Sequence, residues 1–340
     1  MEAYTLPELL TLADDDARRR WEHLSLAYTE ASGLPALRQE IARMYEHVEE
    51  SGVFLVAGAQ EGIFLLANAL LSAGDEAIVV TPSYQSLHEV PRSLGAVVRP
   101  VLLRFDQRWQ LDPDDVARAV TARTRLIAIN FPHNPTGAHI PVDVQRRLVE
   151  IAERAGAVLL SDEVYRGLEA HHRDRLPFAA DLSERAVSLG VMSKAFALPG
   201  LRIGWLATRN ASVLARVARL KDYTTICNSA PSEVLALIAL RARERVLERS
   251  RAIVSANRNA ATQFFSEHAS AVSWVAPVAG SVAFPRFTAR NADDVATQLV
   301  ERESTLLVPG RVFGSDAAHF RIGLGRRDLP QALKALARVM

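Results

Sequence analysis

The chain has 340 residues, 49% of them hydrophobic and 23% charged, with a formal net charge of +1 at pH 7. A chain of this length can bury a sizeable core and divide into about two domains, and its near-neutral balance gives no electrostatic case for nucleic acid or an anionic membrane. Cys227 is the single cysteine, which excludes an internal disulfide and points to a reducing cytoplasm.

Met1-Glu2-Ala3-Tyr4 is acidic and polar, so no signal peptide is expected here. Arg18-Arg19-Arg20 directly follows Asp14-Asp15-Asp16, a pattern that suits a solvated helix face. Strand-like apolar runs fall at 53–56, 77–80, 97–101, 126–129, 158–160, 187–192 and 203–207, with helical patterns between most of them. The helical pattern over 142–155, for instance, puts Leu148, Ile151 and Ala152 on one face. Such alternation predicts an α/β fold with a mostly parallel sheet covered on both faces. The most apolar region, 53–71, is broken by Gln60, Glu61 and Asn68 and is no membrane span. A long helical stretch is expected from 229 to about 268, with no Pro after Pro231 and no Gly. Candidate strands then return at 272–275, 282–287, 306–308 and 320–324. Residues 46–228 are expected to form a large domain, and 1–45 with 229–340 a smaller one.

Four segments carry chemistry. Val53 to Gly62 reads as strand, small-residue turn and helix start, which leaves free N–H groups at the positive end of a helix dipole, a phosphate site. Asn130-Phe131-Pro132-His133-Asn134-Pro135-Thr136-Gly137 follows the run at 126–129 and fixes a loop at a strand's C-terminal end, where open α/β sheets bind ligands. Ala157 to Tyr165 is a buried-strand pattern that ends in the carboxylate of Asp162, placed to pair with a protonated ring nitrogen. Ser193-Lys194 with Arg202 sets a lysine in small, turn-prone residues with an arginine eight positions on. A lysine whose pKa is lowered by burial and charge can form an imine with an aldehyde, while the guanidinium holds a phosphate. Pyridoxal 5'-phosphate (PLP) presents both groups.

Taken in order, Gly33-Leu34-Pro35 with Leu37-Arg38, Gly58-Ala59, Asn134-Pro135-Thr136-Gly137, Asp162 with Tyr165, Lys194 with Arg202, and Arg321 resemble the class I/II aminotransferases. These are PLP-dependent enzymes of fold type I. The likeness spans residues 28 to 321 and implies a seven-stranded large domain plus a smaller α/β domain. It also implies amino acid and 2-oxo acid substrates and a homodimer with shared active sites. By the same resemblance Lys194 carries the cofactor and then moves the substrate Cα proton. Asp162 binds the pyridine nitrogen, and Asn134 and Tyr165 bind the phenolic oxygen. Tyr84 stacks on the ring. Ala59 and Gln60 offer backbone N–H groups to the phosphate, with Ser193 and Arg202 as side-chain ligands, and Tyr28 reaches the phosphate of the neighbouring subunit. Arg321 grips the substrate carboxylate, for which a planar guanidinium is suited, with Asn134 and Gly33 also at the substrate.

The chain departs from the family at Val191, where a hydroxyl or glycine is common three residues before the lysine. The phosphate cup is expected to have one ligand fewer, or to be completed from Ser193 or the partner. A narrower likeness joins Asn130 to Pro135, Ala283 to Ala289 and Val308 to Gly314 to the capreomycidine synthases, which share the fold but eliminate water and close a guanidine ring. Ser161 to Tyr165 follows the general aminotransferase pattern. Transamination is therefore the first reading and elimination with cyclisation the alternative, since fold does not fix reaction type. A catalytically silent PLP-binding module is the reading from another class. Such modules are fused to a DNA-binding head, for which the 27 residues before Tyr28 leave no room. No metal site is expected, because His171-His172 diverge on any regular element and lack partners at ligand spacing. No Gly-x-Ser-x-Gly elbow supports a serine hydrolase.

Overall fold

The computed structural model describes residues 1–340. Seven strands form the central sheet: β1 (Val53–Val56), β2 (Glu76–Thr81), β3 (Val97–Leu102), β4 (Thr124–Asn130), β5 (Val158–Asp162), β6 (Ala186–Val191) and β7 (Gly204–Ala207). Their order is β1-β7-β6-β5-β4-β2-β3. Only β7 runs antiparallel to its neighbours; the pairings from β6 through β5, β4 and β2 to β3 are parallel. Residues alternate between the sheet's two faces, as the pleat requires. Ile127, Ile129 and Leu159 enter one core, and Leu126, Ala128, Val158 and Leu160 the other. Burial on both faces is why β4 and β5 read as continuous apolar runs, whereas the edge strand β3 is mostly uncovered.

Helix Val142–Ala155 buries Leu148, Ile151 and Ala152 and stops at Gly156. The expected helix from 229 to 268 is instead two, Ala230–Arg241 and Arg243–Glu267, broken at Ala242. The first is buried continuously from Glu233 to Leu240, whereas the second buries only a stripe. A helix apolar all round is enclosed and an amphipathic one keeps a wet face, so the two halves sit in different surroundings. Helix Ala230–Arg241 packs on helices Asp15–Glu22 and Pro35–Ala42. Leu9, Ala17, Leu37, Ile41, Tyr45 and Val48 share one core with Leu55, Val191, Trp205 and Val234. These N-terminal residues thus pack against the large sheet, while Met1 packs on the C-terminal core and Glu2 N–H donates to the Gly325 carbonyl at 2.6 Å.

The C-terminal part holds β8 (Val272–Ser273) paired with β10 (Arg286–Phe287), and β9 (Val282–Ala283), β12 (Phe320–Gly323) and β11 (Val308–Pro309) in a second small sheet. The single strand expected at 282–287 is divided between two sheets, with Pro285, which has no N–H to give a ladder, near the break. No helix is long and apolar enough to cross a membrane.

Candidate active site

Parallel register places two polar strand ends side by side. Asn130, the last residue of β4, lies opposite Asp162, the last of β5, and Asp162 lies opposite Leu189 of β6. Asn130 then locks the pair: its Nδ2 donates to the Asp162 carbonyl at 2.8 Å, and its Oδ1 accepts from the Asn134 N–H at 2.8 Å. In the sequence Asn130 reads only as the start of a loop. The signal for its role is a polar amide that closes an apolar strand where the next loop must turn back.

Asn134 is buried, and its Oδ1 accepts from Arg321 Nη1 at 3.0 Å across 187 residues. With the amide oxygen so engaged, Nδ2 is the group left to donate to a ligand. Arg321 comes from β12, opposite Val308, and its guanidinium lies 4.9 Å from the Phe313 ring centre. Small and large domains therefore meet at the Arg321–Asn134 contact.

Asp162 is 5% exposed, and its one hydrogen-bond donor is the Val164 N–H at 3.3 Å on Oδ1. Burial pushes its pKa up to about 7, opposed by that N–H and by Lys194. Tyr165 is also buried, and burial raises its phenol to about 12, so at neutral pH it is a neutral donor.

Lys194 follows β6 in a tight turn, and Ala197 (φ +56°) and Arg202 (φ +52°) come after it. Non-glycine residues in this conformation cost of order 1–3 kcal/mol each and persist only where the surroundings dictate them. The Lys194 side chain is open to a cavity of about 710 Å³ that Tyr165, Ser193 and Arg321 also line. Desolvation and then the Arg321 charge lower its pKa, Asp162 partly opposes them, and Arg202 adds to the lowering. Its Nζ lies 6.0 Å from the Tyr165 ring centre.

The helix Ala59–Leu70 begins behind β1 at Gly58 (φ +83°), with no side chain capping its first N–H groups. A Cβ at Gly58 would sit 2.3 Å from Arg202 Nη2. Glycine is required there, and the guanidinium lies against the uncapped helix start. Arg202 itself is held by the Pro199 and Ala57 carbonyls at 3.1 and 3.4 Å. The uncapped start of this helix and Arg202 thus form a candidate anion cup. Val191 is 3% exposed within the core and brings no hydroxyl to the cup, and Ser193 is half-buried beside Lys194.

Two aromatic candidates are exposed, and Tyr84 faces Tyr165 closely enough to raise the pKa of the Tyr165 phenol further. Tyr28 is 87% exposed and Tyr84 45% exposed. Gly33 (φ +102°) is buried against Leu55, where a Cβ would approach that side chain to 2.2 Å.

A lysine of lowered pKa, a buried carboxylate short of a cation, a neutral phenol, a candidate anion cup and the Arg321 guanidinium tied to Asn134 are a donor set that suits a phosphorylated aldehyde cofactor. The sequence model of the aminotransferase class I and II family matches residues 12–338. The chain is 33% identical to the capreomycidine synthase of Streptomyces vinaceus over 288 residues, 84% of this chain and 73% of that one. It is 31% identical to the arginine–pyruvate transaminase of Pseudomonas aeruginosa over 324 residues, 91% of this chain and 81% of that one. A PLP-dependent aminotransferase from Streptococcus suis superposes with TM-score 0.92 at 30% identity, over 99% of this chain and 90% of that one. The chain belongs to the class I and II aminotransferase family and is a PLP-dependent enzyme of fold type I.

The residues present fit the cofactor. Asp162 is a buried carboxylate without a cationic partner in contact, which a protonated ring nitrogen supplies, and the helix start with Arg202 offers donors to a phosphate.

Proposed function

We propose that this aminotransferase moves an amino group between an amino acid and a 2-oxo acid, with Lys194 as the residue that carries PLP and shuttles the proton. The observation that supports this most is the hydrogen-bonded chain from Arg321 through Asn134 and Asn130 to Asp162, beside Lys194. Bound PLP supplies the electron sink that makes the substrate Cα–H acidic. Arg321 holds the substrate carboxylate with two parallel N–H donors, and Asn134 and Gly33 border it. Lys194 Nζ, its pKa lowered, takes the Cα proton and returns it. Asp162 carries the negative charge that keeps the ring nitrogen protonated. Asn134 Nδ2 and Tyr165 Oη would donate to the ring oxygen, and Tyr84 would contribute an aromatic surface to the ring. Ala59 and Gln60 N–H, Ser193 Oγ and Arg202 hold the phosphate.

A second reading, elimination with cyclisation, has its own support. The segments that carry the likeness to capreomycidine synthases border Arg321, since Val308 and Ala283 pair with Arg321 and Ile322. Incubation with a panel of amino acids, including hydroxylated arginine, separates the readings. Transamination leaves pyridoxamine phosphate, a keto acid and no ammonia. Cyclisation retains PLP and the nitrogen and gives a product lighter by one water in mass spectrometry. The second outcome overturns transamination.

The site is proposed to be shared in a cytoplasmic homodimer. Leu26, Tyr28, Phe64, Tyr223 and Ile226 are exposed apolar residues on segments already tied together. Thr29 bonds the Asn228 carbonyl, and Thr224 and Thr225 bond Glu61 on the helix that carries Phe64. Apolar groups grouped this way mark an association face, and a two-fold interface would give two equivalent sites. Tyr28→Phe is expected to weaken PLP retention without changing the fold. Mixing it with Lys194→Ala should restore one wild-type site per heterodimer. A fully active monomer by sedimentation, or no activity from chains shown to exchange, contradicts the shared site. The reducing compartment rests on the single cysteine, Cys227.

A further inference from the structure

Lys221 ends the helix Ala211–Lys221 and is 0% exposed. Its Nζ donates to the Leu55 carbonyl at 2.6 Å and to Asn228 Oδ1 at 2.7 Å, and it lies 5.3 Å from the Phe54 ring centre. These acceptors are neutral, and no carboxylate touches the ammonium. Burying an ion costs several kcal/mol, and an apolar side chain of similar volume usually serves stability as well or better. Packing alone therefore does not account for a lysine here.

Its partners do. Leu55 lies in β1, three residues before Gly58 and the anion cup. Asn228 passes the contact on, its Nδ2 donating to the Val56 carbonyl at 3.3 Å. The Asn228 carbonyl accepts from Thr29 Oγ1 at 3.2 Å, and Glu233, 0% exposed, accepts from the Leu34 N–H at 3.3 Å. Leu55 N–H in turn donates to the Ser32 carbonyl at 3.0 Å. The segment from Lys221 to Glu233 therefore binds the strand that enters the cup and the loop 29–34 that carries Gly33. Glu61 adds a third tie, accepting from Ala57 N–H at 2.5 Å and from Thr224 and Thr225.

We propose that Lys221, Asn228 and Glu233 are a positioning unit that sets the phosphate cup of the cofactor site against the loop carrying Gly33. The inference rests on the reading that Gly58 to Gln60 and Arg202 hold the PLP phosphate. Lys221 and Asn228 fix the carbonyls of Leu55 and Val56, and with them the direction of the N–H groups that follow. Glu233 fixes the loop from the other side. None of the three touches the reacting atoms.

The test compares the affinity of the protein, freed of its cofactor, for PLP with that for pyridoxal, which lacks the phosphate. Lys221→Met removes the buried charge, and Asn228→Asp keeps an acceptor for Nζ while removing the donor to Val56. In both, the preference for PLP over pyridoxal is expected to fall by about tenfold, the scale of one charge-assisted hydrogen bond, with pyridoxal affinity unchanged. A merely structural role would lower the melting temperature or weaken both ligands alike. A preference that survives in folded Asn228→Asp overturns the inference alone. A wild-type protein without any such preference overturns the phosphate assignment, and the inference with it.

Discussion

Lys194→Ala should leave a folded protein that binds PLP without a covalent link and turns over at less than about 10⁻² of the wild-type rate. Losing a positioned general base typically costs 10²- to 10⁴-fold, and losing the covalent attachment adds to it. The fold should tolerate the change, because the Lys194 side chain projects into the cavity. The turn that presents it depends instead on backbone bonds, including Ala197 N–H to the Lys194 carbonyl at 2.9 Å and Leu198 N–H to the Met192 carbonyl at 2.9 Å. The measurement is single-turnover deprotonation of a Cα-deuterated amino acid, with sedimentation and melting as controls on folding. A variant that keeps more than a tenth of the wild-type rate contradicts the role given to Lys194.

Asp162→Asn has the second largest expected effect, and it works in opposite directions on activity and stability. Removing one preorganised charge contact costs about 10²–10³ in rate, so Cα deprotonation should slow by that factor while PLP still binds. Stability follows from linkage. The Asp162 pKa rises from 3.8 to about 7 on folding, chiefly through burial. The folded state therefore holds a proton that the unfolded state releases between about pH 4 and pH 7, and the cofactor-free wild type loses stability across that window. Above it the loss is complete, on the order of a few kcal/mol, since each tenfold change in proton affinity is worth about 1.4 kcal/mol. Asparagine has no such loss. Cofactor-free Asp162→Asn should melt close to wild type at pH 4 and clearly above it at pH 8. Equal melting temperatures at pH 8 would mean that the wild-type carboxylate has a partner there, and an unchanged rate would mean that another acid serves the ring.

The residues most legible in sequence are those fixed by a strand end. Asp162 and Asn134 each close or follow a run that folds as one strand, and parallel register then brings strand ends together without further information. Lys194 and Arg202 are legible for a related reason, since Pro199 and Gly200 between them interrupt any regular element. Arg321 reaches Asn134 only because the small domain folds back over 187 residues, and no local pattern encodes that distance; its place comes from the resemblance. Helix Ala230–Arg241 reads as continuous with its successor because Ala242 breaks no propensity rule. The two halves differ in what they pack against, which no local pattern encodes. Lys221 carries no local signal at all, because its burial is set by β1 and Asn228, far from it in the chain or on the other side of a loop.

The most direct measurement uses the fact that the chain has only three lysines, Lys194, Lys221 and Lys334. Lys221 is fully buried with its Nζ bonded to Leu55 and Asn228, and Lys334 lies exposed on the last helix. The purified holoenzyme is reduced with borohydride, digested, and its peptides mapped by mass spectrometry. A pyridoxyl mark on the peptide containing Ser193-Lys194-Ala195 is the predicted result, and a mark on Lys221 or Lys334 with Lys194 unmodified contradicts the account.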